Sequence, residues 1–236
     1  MTLLLAALCC LAQASDADRN EAALKKFGES RTYRVSSDYK EGTMTMKTRV
    51  ETVEEKKVAV LEDVFDGVLF EEKYRFSTTE TTSLDRFRMI SCKAQSKSGD
   101  ESTKGSIEVK GSKALVTITK EGKNFSPSCD ITETTMSEPA MIRFLCAQEQ
   151  KEGRSFKVDM FDIDMFGVQK DHAFTCSGKE TIEIGGKKFD AFKWQEKWTT
   201  KEDYHRTRTY WVSVDGYLLR RTGFNGLLEL KVSEEK

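Results

Sequence analysis

The sequence predicts a mainly β protein of the α+β kind: a curved antiparallel sheet wrapped on one mid-chain helix, with a short helix before it. Three observations predict this. From Arg31 onward, apolar and polar residues alternate with the two-residue period of strands. The turn signals Asp66-Gly67, Gly185-Gly186 and Asp215-Gly216 sit between strand formers. One helical stripe, Ser137 to Gln150, interrupts the strands, so the chain crosses over there.

The first 14 residues, MTLLLAALCCLAQA, have the layout of a secretory signal. Leu3 to Leu11 is an apolar h-region, and Ala12-Gln13-Ala14 is a small-residue cleavage site, although Lys and Arg are absent from the n-region. Residues 1–14 therefore read as a signal peptide cleaved before Ser15, and residues 15–236 as a single β-rich domain, secreted or periplasmic. The apolar run is too short to cross a bilayer, and no later segment is apolar enough, so no membrane span is expected. Leu8 precedes Cys9, which argues against lipidation.

Asp16 to Phe27 reads as a helix capped by Asp16 or Asp18 and stopped by Gly28. Tyr33, Val35 and Tyr39 alternate with polar neighbours, as do Met44, Met46 and Val50. Val58 to Leu61 is a compact apolar run, and Val68, Phe70, Tyr74 and Phe76 share one predicted face. Arg86 to Cys92, Ile107 to Val109 and Ala114 to Thr119 are further strands. In the mid-chain helix Ser137 is the candidate N-cap, Pro139 lies in the first turn, and Met141, Phe144 and Leu145 form the stripe. Strands resume at Phe156 to Ile163, Glu180 to Ile184, Lys188 to Trp198, Arg206 to Ser213, Tyr217 to Thr222 and Leu227 to Val232.

The net charge of −1 and the interspersed charges point away from nucleic acid. The expected mature chain keeps Cys92, Cys129, Cys146 and Cys176 as disulfide candidates, with three pairings open. Buried free thiols are the alternative.

Catalytic constellations are not found. His172 and Cys176 lie four residues apart, roughly 13 Å along a strand, too far for a nucleophile and its base. The run Asp159, Asp162, Asp164 lacks the closing carboxylate of a calcium loop, because Ala173 stands there. Glu180 with Glu183, or Glu196 with Asp190, are chance pairs among 39 acidic residues. Arg206, Arg208, Arg220 and Arg221 beside Tyr210 and Trp211 read as an exposed hairpin face. No enzyme activity, metal or cofactor is expected.

The hairpin YWVSVDGYLLRR, Tyr210 to Arg221, and the block GKETIEIGGKKFDAFKW, Gly178 to Trp194, resemble strand pairs of the periplasmic lipoprotein-carrier (LolA/LolB-like) half-barrel superfamily and its secreted relatives. The order of elements is similar too. The resemblance implies an open half-barrel whose apolar hollow holds acyl chains. Its lining would be Phe192, Trp194, Trp198, Trp211 and Tyr217, with Met141, Phe144 and Leu145 from the helix. The expected function is a non-catalytic, monomeric binding or carrier module for a lipid-like apolar ligand. The alternative is a structural or protein-interaction module of the cell envelope, with a filled core and an envelope protein as partner.

Overall fold

The computed structural model describes residues 15–28, 30–162, 167–223 and 226–232. The first part of the chain forms α1 (Asp16–Phe27), β1 (Ser30–Ser36), β2 (Lys40–Val53), β3 (Lys56–Leu69), β4 (Glu72–Ser83), β5 (Met89–Ser98), β6 (Glu101–Lys110), β7 (Lys113–Lys120), β8 (Lys123–Phe125), β9 (Ser128–Asp130) and β10 (Thr135–Met136). Then follow α2 (Glu138–Ala147), β11 (Ser155–Asp162), β12 (Gly167–Ile184), β13 (Lys187–Thr199), β14 (His205–Ser213), β15 (Leu218–Gly223) and β16 (Leu227–Leu230).

All the strands belong to one curved sheet, whose path runs from β10 through β16 and continues from β1 to β8. The pairing of β16 with β1 joins the end of the chain to its beginning. The ladders are antiparallel except β10 with β11. Hydrogen bonds leave the sheet open, with β10 at one end and β8 and β9 at the other. Side chains bridge the gap: Phe161 and Val168 of β11 and β12 pack in one cluster with Cys92, Ile107 and Val116 of β5 to β7.

The main core lies inside the curve, and α2 fills it. Met141, Ile142, Leu145 and Cys146 pack there with Leu24 and Phe27 of α1 and with Tyr33, Met46, Leu61, Phe174, Trp194 and Tyr210 from six strands. The helix starts as expected: the Ser137 hydroxyl accepts from the Ala140 N–H at 3.1 Å, and Pro139 falls in the first turn. The cap of α1 is neither expected aspartate. It is Ser15, whose hydroxyl accepts from the Asp18 N–H while Asp18 accepts from the Ser15 N–H.

The expected turn at Asp66-Gly67 is corrected: both residues lie inside β3. The chain reverses at Phe70 and Glu71, with φ of 49° and 69°. Gly67 is needed for closeness rather than for turning. It pairs with Gly42 on β2, and an added Cβ would lie 2.1 Å from the Glu41 carbonyl oxygen. The strand expected from Arg86 begins only at Met89, and the Phe70 assigned to a strand face is a turn residue. The strand expected at Glu180 begins far earlier, at Gly167, and carries a bulge between Cys176 and Gly178. One extra residue exchanges the two faces. Cys176 joins the main core, whereas Ile182 and Ile184 join a separate cluster with Ala191 and Leu219.

Candidate functional site

Strand alternation carries polar groups into the core beside the aromatic ones. On β13, Trp194, Glu196 and Trp198 share a face; on β14, Arg208, Tyr210 and Val212 do. Register sets Glu196 opposite Arg208 and Trp194 opposite Tyr210. Glu196 receives a hydrogen bond from His172 Nδ1 at 2.6 Å and another from the Tyr210 hydroxyl at 2.7 Å. Arg208 Nη1 lies 3.4 Å from the same carboxylate. His172 stacks on Trp198 at 5.0 Å, and the Arg208 guanidinium lies 5.0 Å from that indole.

The electrostatics follow from these contacts. Burial pushes the Glu196 carboxyl up, but His172, Arg208 and Tyr210 together outweigh it and hold it below its ordinary value. Burial also raises the Tyr210 hydroxyl far above its usual value. Glu138, in the first turn of α2, pairs with Arg221 and lies 3.8 Å from Arg208. Two arginines and two glutamates thus balance in charge.

Two more contacts fasten α2 to the opposite wall. The Ser137 hydroxyl donates to Glu80 on β4. Arg143 grips Asp63 on β3 with both terminal nitrogens and donates from Nε to the Thr48 hydroxyl at 3.2 Å. Such a fork on a carboxylate fixes orientation as well as distance. Burial pushes the Glu80 carboxyl up to about 8.

This constellation is sealed. Glu196 and Arg143 are fully buried, and His172 is 4% exposed. Its Nε2 has no hydrogen-bond partner, nor do the Nε atoms of Arg208 and Arg221. Among the described residues, no group of three His, Cys, Asp or Glu side chains is arranged to hold a metal. Two clefts open to the outside. One lies where β12, β13 and β14 end, around Trp198, with a volume of about 680 Å³. Another, also about 680 Å³, lies between α1, α2 and β11, where Phe144, Phe156 and Met136 meet polar residues.

The expected lining residues do not surround one hollow. Trp194, Met141 and Leu145 are fully buried, and the Trp194 indole N–H donates to Gln150 at 2.8 Å. Phe144 is half-buried, edge-on to Phe87 and Phe156. Phe192 is half-buried against the main core. Trp198 is the wall of the rim cleft. Trp211 faces the other side of the sheet, donating to Glu180 with Lys193 and Arg220 near its ring. Tyr217 lies under the Arg31 guanidinium, 3.7 Å from its ring centre.

The four disulfide candidates, Cys92, Cys129, Cys146 and Cys176, are free thiols. Burial pushes Cys92 and Cys146 up to about 12, which makes both poor nucleophiles. The expected exposed arginine face is also corrected: Arg208 and Arg221 point into the core. Their signal was present in the alternation Arg208-x-Tyr210-x-Val212, which puts an arginine on the apolar face. Glu196 between Trp194 and Trp198 carries the same signal. His172 pairs with Glu196 rather than with Cys176, four residues along the same strand. Asp190 is exposed in an ion pair with Lys179. Asp159 accepts from the Thr132 hydroxyl, while the Asp162 side chain and Asp164 lie outside the described residues.

No protein-family model matches the chain, and no curated protein matches it. Among solved structures it is similar to a β-barrel-like protein of a domain of unknown function, DUF1849, from Brucella abortus. Identity is 11% and the TM-score 0.54, over 86% of this chain and 94% of that one. At this identity the likeness shows the β-barrel-like fold alone; the lipoprotein-carrier resemblance is met at that level only. No described helix is long and apolar enough to cross a membrane.

Proposed function

We propose that this protein is a non-catalytic binding module of the secreted or periplasmic space, in which the filled barrel is a scaffold and partners bind outside it. The observation that carries this reading is α2. Met141, Arg143 and Leu145 are fully buried against the curved sheet, in the space an acyl chain would need. The polar contacts of Glu138, Ser137 and Arg143 hold the helix there. The buried His172 supports a non-catalytic role as well, since a base must reach the proton it takes.

A carrier of lipid-like ligands is the second reading. One observation favours it: the cleft between α1, α2 and β11 carries Phe144 and Phe156, neither fully buried. Native mass spectrometry of protein from its own host, followed by organic extraction, separates the two. The scaffold reading predicts the mass of the polypeptide alone. A stoichiometric copurifying lipid would overturn it and favour the carrier.

A further inference from the structure

We infer that the rim cleft where β12, β13 and β14 end binds a small soluble polyanion. This rests on the scaffold reading, since it places the ligand outside the core. Lys170, Lys197, Lys201 and Arg206 line the cleft, from three separate strand ends. Among the described residues its one lining carboxylate, Asp171, lies 3.7 Å from Lys157. Glu202 and Asp203 follow Lys201 in sequence but do not line the cleft. A chain of net charge −1 does not produce such an excess by composition alone.

The lysines differ from their neighbours on the same wall. Lys157, Lys179 and Lys193 each have a carboxylate within 4 Å. Among the described residues, Lys170, Lys197 and Lys201 have none. Unpaired cations converging on a concave surface focus a positive potential there.

Size and shape narrow the ligand class. A volume of about 680 Å³ suits a small molecule rather than a polymer. Trp198 is 7% exposed, with His172 stacked on its ring and Arg208 beside it, so little of the ring is left for a nucleobase or a sugar to cover. Recognition therefore falls to charge and hydroxyls, with Thr199 and Thr207 on the lining. Closely spaced anionic oxygens, as in a diphosphate or a polycarboxylate, match that set. The locked indole keeps the cleft wall in place before binding, which lowers the ordering cost.

Isothermal titration calorimetry with inorganic pyrophosphate and with citrate tests the inference. At low salt at least one anion should bind with 1:1 stoichiometry and weaken as ionic strength rises. The Lys170→Ala/Lys201→Ala variant should lose about tenfold or more in affinity. A Lys97→Ala/Lys123→Ala control, on β5 and β8, should bind like the parent. Thermal melts of both variants check that they fold. No saturable binding of either anion, equal loss in the control, or binding only to anionic lipid vesicles would each overturn the inference. Failure of the scaffold reading looks different: lipid would copurify whatever the calorimetry showed.

Discussion

Glu80 sits mid-strand in β4, its carboxyl buried against the Ser137 hydroxyl, with Asp63 and Arg143 nearby. Unfolded, it ionises near its ordinary 4.5; folded, burial holds the proton on until about 8. Between those values the folded state binds more protons than the unfolded one, so stability falls as pH rises through the window. The loss is roughly 5 kcal/mol at most. Urea unfolding at pH 5 and pH 8 checks it: Glu80→Gln should remove this part of the slope. Gly67 acts through space instead of charge. Gly67→Ala would set a methyl 2.7 Å from the Gly42 Cα and 2.8 Å from the Phe65 ring. It should cost about 1–3 kcal/mol in the same assay. Neither role is legible in sequence. The run Thr-Thr-Glu-Thr-Thr is polar on both faces, and Asp-Gly reads as a turn until the partner strand is known.

Among the elements, α2 was the most legible and its fastening the least. Ser137, Pro139 and the apolar stripe marked its start and its buried face. Arg143 lies about 200° round the helix from Met141, opposite the expected stripe, so its burial was not legible, and its partner Asp63 lies 80 positions away. Local pattern cannot supply such a pairing. Asp63→Asn should cost about 3–5 kcal/mol, because a buried guanidinium would lose its counter-charge. Replacing both partners, Asp63→Leu with Arg143→Met, should cost much less, and comparing the two by chemical denaturation checks this. A large loss in both would mean that the pair itself, rather than the orphaned charge, carries the stability. The bulge at Gly178 belongs to this scale too. Only Glu180 to Ile184 of β12 was legible as a strand, and the exchange of faces at the bulge before it was not.

At the scale of the whole molecule, strand periodicity and one helix were enough to indicate a curved sheet around a helix. The pairing of β16 with β1 and the packed seam of Phe161 against Ile107 needed three dimensions. The central claim is that α2 and its polar anchors fill the barrel and leave no room for an acyl chain. Trp194 is the natural reporter, fully buried and 5.6 Å from Phe156, which lines the cleft between α1, α2 and β11. The most direct measurement is tryptophan fluorescence during titration with a brominated fatty acid, with the unbrominated chain as control. A filled barrel predicts no saturable quenching. Saturable 1:1 quenching by the brominated chain alone would contradict it.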